Sequence, residues 1–206
     1  MRPYKLLSLL LQYPSDDLLA AREELASAAA ELPASGERDA VLRFLAGWVD
    51  AEPTVLRERY VATFDLDRRA SLHLTYHTHG DRRQRGLELV RLKRRFEEAG
   101  LFLDDGELPD YLPVLLEFAA LADGSAGDRL LAELRAPIEL VRAWLHEQAS
   151  PYAHLLDAVV GWLPQLTRRE IEAIQRLAEA GPPTELVGLE PFGVEEPRPT
   201  GAEVRR

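Results

Sequence analysis

Apolar residues recur three or four positions apart along most of this chain, and runs that alternate apolar with polar residues are lacking. The first such stripe joins Tyr4, Leu7, Leu10 and Leu11, and Pro14 ends it. This spacing places side chains on one face of an α-helix, whereas alternation would indicate a strand. The sequence therefore predicts an all-α fold.

Capping residues and helix breakers divide the chain further. Ser15 can cap a helix that continues through an alanine-rich stretch to about Leu32. Asp110 can cap a later helix, and Thr167 with Glu170 forms a capping box for the last one. The other helices are expected at 37–50, from Pro53 to Phe64, at 71–78, from Leu89 to Gly100, at 127–148 and at 153–164.

Length and composition favour one helical domain over residues 1–180, followed by a Pro- and Gly-rich tail, 181–206, that we expect to be flexible. Cysteine is absent, which excludes disulfides and thiolate metal sites and fits a reducing cytoplasm. No segment reaches the roughly 18 apolar residues that a membrane helix needs. We therefore expect a cytoplasmic protein that does not insert into membranes.

The net charge of −10 argues against nucleic-acid binding, because phosphates would be repelled. Residues 82–95 differ from the rest of the chain, with seven basic side chains and one acid, Glu88. On a helix, Arg91, Arg94 and Arg95 lie away from the apolar stripe of that segment. A solvated helix face and a docking patch for an acidic partner both remain open.

Three histidines are close in sequence and raise the question of a metal site. His73 and His77 are four residues apart, with His79 and Asp81 nearby, and imidazole and carboxylate groups can bind zinc. The HExxH arrangement is missing, as are a nucleophile elbow and a phosphate-binding loop. We therefore expect no catalytic residue, no metal and no cofactor.

Two segments carry a specific resemblance. The first is YVATFDLDRRASLHLTYHTHGDRRQRG, residues 60–86, and the second is ELPDYLPVLLEFAALA, residues 107–122. Together with the opening LLSLLLQYP, they resemble the NarJ family of nitrate reductase assembly chaperones, within the broader TorD-like class of helical chaperones. Tyr111 stands where the wider class has a histidine after Pro-Asp, so no role of that histidine carries over.

The resemblance implies a non-enzymatic chaperone of the TorD-like, single-domain helical type. It implies binding to the N-terminal leader of the apo catalytic subunit of a respiratory nitrate reductase until the molybdenum cofactor is inserted. The chaperone itself would carry no cofactor and would act as a monomer or weak dimer. The alternatives are a chaperone for another molybdoenzyme of the dimethyl sulfoxide reductase type, a metal-dependent hydrolase using His73, His77 and Asp81, and a general helical adaptor.

The client leader is expected to lie in a groove between helices. The apolar side chains that we expect to line the groove are Tyr60, Phe64, Tyr76, Tyr111, Leu115 and Phe118. The carboxylates expected at its rim, where they could meet basic residues of the leader, are Asp65, Asp110 and Glu117. His77 and His79 could make the affinity depend on pH. The same aromatic residues could instead fill the core.

Overall fold

The computed structural model describes residues 3–80, 83–104 and 106–180, and every regular element in these ranges is helical. This confirms the predicted all-α single domain, while the predicted tail, 181–206, lies outside the described residues. None of the described helices is long and apolar enough to cross a bilayer. The α-helices are α1 Tyr4–Leu10, α2 Asp16–Ala20, α3 Arg22–Ala30, α4 Gly36–Ala46, α5 Pro53–Tyr60, α6 Leu74–His79, α7 Arg83–Glu98, α8 Leu112–Leu121, α9 Ala126–Glu133, α10 Arg135–Glu147, α11 Ala153–Gly161 and α12 Arg168–Ala180.

Helix α11 lies at the centre of the packing. It contacts α4, α10 and α1, while α1 also packs along α8 and α8 along α9. A helix whose apolar residues surround its axis can bury all of them only in such a central position. The buried residues of α11 are Ala153, Leu155, Leu156, Ala158, Val159 and Val160.

A cluster of aromatic rings joins the start of α11 to α4 and α5. The ring of Tyr152 lies 5.2 Å from that of Phe44, 4.8 Å from that of Phe64 and 6.0 Å from that of Tyr60. Tyr152 is almost completely buried. Aromatic pairs in such edge and tilted arrangements add to the stabilisation that burial gives. The cluster therefore fixes Tyr60, the last residue of α5, and Phe64, four residues after it.

Two helices that the sequence predicts as continuous are each divided. The helix predicted over 127–148 ends at Glu133 and restarts at Arg135, because Pro137 lacks an N–H and its ring clashes with the carbonyl four residues earlier. The helix predicted from Ser15 is divided at Ala21, where ψ is 12°. There the next residue, Arg22, donates a hydrogen bond to the carbonyl oxygen of Val49. That contact is long-range, so local periodicity does not encode it.

Two predicted capping motifs are confirmed. The Ser15 hydroxyl accepts a hydrogen bond from the Leu18 amide at 3.3 Å. At the start of α12, the Glu170 amide donates to the Thr167 hydroxyl, and the Thr167 amide donates to the Glu170 carboxylate at 2.7 Å. These bonds satisfy amides at the helix N-termini that have no partner within the helix.

The close crossing of α8 and α9 depends on Gly127. A Cβ atom at this position would lie 2.3 Å from the Ala119 Cα, so a backbone would have to move. We expect Gly127→Ala to lower the free energy of unfolding by about 1–3 kcal/mol, measured by urea unfolding. Gly86→Ala is the control, because a Cβ there meets nothing within 4 Å. An unchanged midpoint for Gly127→Ala would contradict the close crossing.

Candidate functional site

The two distinctive sequence segments meet in a short antiparallel bridge between His73 and Tyr111. The Leu74 amide donates to the Asp110 carbonyl oxygen at 3.0 Å, and the Leu112 amide donates to the Leu72 carbonyl oxygen at 2.9 Å. This bridge corrects the prediction of a helix from residue 71, because residues before Leu74 pair with the second segment and α6 begins only afterwards.

Asp110 ties this bridge to the helices around it. Its side chain is fully buried, and its carboxylate contacts His73 Nδ1 at 3.2 Å and Arg85 Nη2 at 3.3 Å, and accepts a hydrogen bond from the Thr75 hydroxyl. The predictions that Asp110 caps α8 and lies at an exposed rim are therefore wrong. The N-cap of α8 is Tyr111, without a side-chain hydrogen bond, and the carboxylate holds α6 and α7 beside the start of α8.

Asp110 is held as a carboxylate by its partners. Burial alone would raise the pKa of Asp110, but hydrogen bonds with His73 and Thr75 and the charges of His73 and Arg85 outweigh burial and lower that pKa. The group is thus ionised at neutral pH, and the guanidinium of Arg85 balances its charge. A buried charge that is paired and hydrogen-bonded in this way avoids most of the desolvation penalty.

An open depression of about 360 Å³ lies beside the bridge, and we call it the aromatic pocket. The Tyr60 hydroxyl lies 2.9 Å from the Tyr111 hydroxyl and 3.2 Å from the Leu11 carbonyl oxygen. Tyr13 forms an outer wall and is 46% exposed, with its ring 5.6 Å from that of Tyr60. The pocket is lined by Tyr13, Tyr60, Phe64, Asp65, Ser71, Leu72, His73 and Tyr111.

A single π-helical turn, Val61–Asp65, shapes one wall of the aromatic pocket. The Leu66 amide donates to the Val61 carbonyl oxygen five residues earlier, at 3.1 Å. Such an insertion changes the direction of the following side chains and is frequent at functional sites. Here Phe64 packs into the core cluster, while Asp65 remains exposed at the pocket opening.

The walls of the aromatic pocket include the phenol groups of Tyr60 and Tyr111 and one carboxylate, that of Asp65. Burial raises the pKa of Tyr60, and Tyr111 raises it further; burial also raises the pKa of Tyr111. Both phenols therefore stay protonated at neutral pH. A pocket with aromatic walls and one carboxylate at its opening can accept an apolar side chain that has a cation beside it.

The structure brings together four of the residues predicted to bind a peptide: Tyr60, Phe64, Asp65 and Tyr111. Leu115 and Phe118 instead fill the core and are 1% and 3% exposed, which contradicts their predicted place in an open groove. Tyr76 and Glu117 also lie outside the aromatic pocket; Tyr76 is buried, and Glu117 pairs with Lys5 of α1.

Four pocket residues were not among those predicted to bind a peptide: Tyr13, Ser71, Leu72 and His73. The sequence could have pointed to Tyr13, because it is an aromatic residue directly before Pro14, which ends the helix. His73 was considered only as a metal ligand. Its ring lies 5.1 Å from the Tyr111 ring, a contact between residues far apart in sequence.

The histidines do not assemble a metal site in the part of the chain that the structure describes. No three side chains among His, Asp and Glu come together there in a way that could hold an ion. His73 contacts Asp110, and His77 Nε2 lies 2.8 Å from the Ser71 carbonyl oxygen. Asp81, the carboxylate considered with them, lies outside the described residues.

His77 and His79 do not share one environment. His77 is buried and reaches a depression between α10 and α12 of about 380 Å³, whereas His79 lines another depression beside α7. Burial lowers the pKa of His77, although its hydrogen bond to Ser71 and the charge of Asp110 oppose that effect. His77 is therefore a neutral core histidine at pH 7.

This environment predicts a stability that falls in mild acid. The pKa of His77 is below its ordinary 6.5 in the folded chain, so the unfolded chain binds more protons as the pH falls through 6.5. We expect the free energy of unfolding to decrease as the pH is lowered below 6.5. The decrease should be smaller in His77→Gln than in the wild type. Urea unfolding at several pH values measures this. Identical slopes for the two proteins would contradict a buried neutral His77.

Comparisons with known proteins place the chain in a family. The family described as "Nitrate reductase delta subunit" matches residues 15–158, which contain both distinctive segments and every pocket residue except Tyr13. The chain is 32% identical over 167 residues to the "Probable nitrate reductase molybdenum cofactor assembly chaperone NarJ" of Bacillus subtilis, covering 81% of this chain and 91% of that protein.

Two further relatives extend the comparison. The "Nitrate reductase molybdenum cofactor assembly chaperone NarJ" of Escherichia coli is 33% identical over 157 residues, covering 75% of this chain and 66% of that protein. The "Nitrate reductase-like protein NarX" of Mycobacterium tuberculosis is 43% identical over 152 residues, which are 74% of this chain but only 23% of that protein. The chain thus belongs to the nitrate reductase delta subunit family, the NarJ family, which is a family of chaperones and not of enzymes.

Proposed function

We propose that this chain is an assembly chaperone for a respiratory nitrate reductase, acting in the cytoplasm as a monomer or weak dimer. It binds the N-terminal leader of the apo catalytic subunit and keeps that subunit open to molybdenum cofactor insertion. Membership of the NarJ family supports the chaperone role. The observation that carries leader binding is the aromatic pocket, an open site with aromatic walls and a carboxylate at its opening.

In this proposal, the leader places one apolar side chain between Tyr13 and the rings of His73 and Tyr111. A neighbouring basic residue of the leader then meets Asp65, which is exposed at the pocket opening. Peptide recognition by pockets for a few side chains is a common mode of binding. The protonated phenols of Tyr60 and Tyr111 add hydrogen-bonding groups at the pocket floor.

A comparison of binding free energies indicates that the aromatic pocket supplies only part of the affinity for the leader. Burying one large apolar side chain contributes about 1.5–3 kcal/mol, and an exposed ion pair contributes about 1 kcal/mol or less. A micromolar complex needs about 8 kcal/mol. The leader must therefore contact more of the surface, and Leu66, 78% exposed and next to Asp65, offers an adjoining apolar contact. Moderate affinity suits a partner that has to be released.

Calorimetric titration with a synthetic leader of the client subunit tests this function. We expect saturable one-to-one binding that is lost when the apolar residues of the peptide are replaced by aspartate. A leader from a dimethyl sulfoxide reductase-type enzyme serves as the specificity control. The absence of binding over a wide range of concentration and pH would refute leader recognition. A parallel titration with the apo catalytic subunit would then show whether the client is contacted elsewhere.

A further inference from the structure

Helix α7 has an exposed face that the packing of the described residues does not use. Leu92 and Phe96 bury the opposite face, and the Phe96 ring lies 4.5 Å from the Phe118 ring. The exposed face carries two apolar residues between two arginines, spaced four, three and four positions apart, so that all four lie along one line of the helix. In order they are Arg83, Leu87, Val90 and Arg94, with Leu87 66% and Val90 53% exposed.

The basic residues of α7 fall into two groups. Arg85 pairs with Asp110, and Arg91 and Arg95 pair with Glu133 of α9, so these three serve the fold. Within residues 3–80, 83–104 and 106–180, no carboxylate lies within ion-pairing distance of Arg83, Lys93 or Arg94. These three cations surround the exposed apolar pair, so the face offers positive charge that the described fold leaves unneutralised.

Gly86 is a second, independent observation at this face. It lies inside α7 next to Leu87, where a glycine lowers the stability of the helix relative to alanine. Its φ is not positive, and a Cβ added to it would meet nothing within 4 Å. The described part of the chain therefore gives no reason for a glycine at this position. Close approach of a partner's backbone is the usual external reason.

We infer that this face, which we call the α7 face, binds an acidic amphipathic helix of a partner protein. The apolar stripe of that helix packs on Leu87 and Val90 beside Gly86. Its carboxylates meet Arg83 and Arg94, which are about 16 Å apart along α7 at 1.5 Å per residue. Complementary charge sets the rate and register of such contacts, while the apolar centre supplies most of the affinity.

The chemistry of the α7 face favours a protein over nucleic acid. The chain has a net charge of −10, which repels polyphosphates outside the immediate patch. The exposed centre of the face is aliphatic, whereas single-stranded nucleic acid binds by stacking on aromatic rings. The α7 face also shares no residue with the aromatic pocket, so it does not depend on the proposed leader site.

A fluorescent model helix of about 18 residues, with a leucine stripe flanked by glutamates, is the probe, and anisotropy with the full chain is the readout. We expect saturable binding that weakens by at least about tenfold in a Leu87→Asp/Val90→Asp variant. Arg83→Glu/Arg94→Glu should weaken binding and reduce its dependence on salt. Gly86→Ala should weaken binding while raising the thermal midpoint, a combination that a merely structural glycine would not give.

Matched variants on other exposed surfaces are the controls. Arg43→Glu on α4 reverses an exposed charge, and Leu66→Asp introduces a charge at an exposed apolar residue beside the aromatic pocket. Both should bind the probe like the wild type. The inference is overturned if Leu87→Asp/Val90→Asp binds normally or if a probe with lysines in place of glutamates binds equally well. Stronger binding to phosphatidylglycerol vesicles or duplex DNA, or self-association through this face, would equally overturn it.

Discussion

Asp110→Ala is expected to lower the free energy of unfolding by about 3–5 kcal/mol, because it removes the buried carboxylate that the Arg85 guanidinium contacts. His73 and Thr75 also lose their hydrogen bonds to the carboxylate, which hold the two distinctive segments together. A domain of this size is stable by only about 5–15 kcal/mol, so the change would be large in urea unfolding. A loss under about 1 kcal/mol would show that the carboxylate is solvated.

A double-mutant cycle measures the interaction energy between Asp110 and Arg85 separately from the effect of losing either side chain. We expect Asp110→Ala with Arg85→Met to be more stable than Asp110→Ala alone, because the double variant no longer buries a guanidinium beside the site of the missing carboxylate. The pKa of Asp110 is below its ordinary value of 3.8, so this stabilisation is present above pH 3.8 and is lost as the pH falls through the folded-state pKa. This pH range lies below the range in which His77 affects stability. The contributions of Asp110 and His77 to the free energy of unfolding can therefore be measured separately.

Tyr13→Ala combined with Asp65→Lys is expected to weaken leader binding by about 100-fold, or about 2.7 kcal/mol. Tyr13 forms the outer wall of the aromatic pocket, and the lysine would repel a basic residue of the leader instead of pairing with it. Both side chains are exposed, so the thermal midpoint should change little. Calorimetry with the same leader peptide measures the affinity.

Two substitutions beside the pocket serve as controls. Leu66→Ala removes an exposed apolar residue next to Asp65 but outside the pocket lining, and should weaken binding far less than the double variant. Asp50→Lys makes the same charge change at an exposed position remote from Asp65 in sequence, and should leave the affinity near that of the wild type. Unchanged affinity in Tyr13→Ala/Asp65→Lys would place the leader elsewhere on the surface.

Local patterns in the sequence were enough for the fold class and for several helix ends. The stripe through Tyr4, Leu7 and Leu10 predicted α1, and the pairing of Thr167 with Glu170 predicted the start of α12, because capping involves residues only three apart. The break before Pro137 could also have been predicted from the sequence, because a proline disrupts the preceding helical turn whatever surrounds it.

The site was harder to predict because it depends on contacts between distant residues. Asp110 resembled a helix cap, and its burial is explained by contacts with His73, Thr75 and Arg85, which are 25 or more residues away in sequence. Leu115 and Phe118 belong to α8, whose buried residues lie all around the helix, so the sequence could not say which of them faced an opening. Tyr60 and Tyr111 were found because they lie in segments with a specific family resemblance.

Titration of the ¹⁵N-labelled chain with the leader peptide, followed by backbone amide shifts, tests the central claim most directly. If the leader binds in the aromatic pocket, the largest shifts will occur at Tyr13, Asp65, His73 and Tyr111. The amides of α7 and α12 should change little. Saturable shifts confined to α7 or α12, with the pocket amides unmoved, would contradict leader binding in the aromatic pocket.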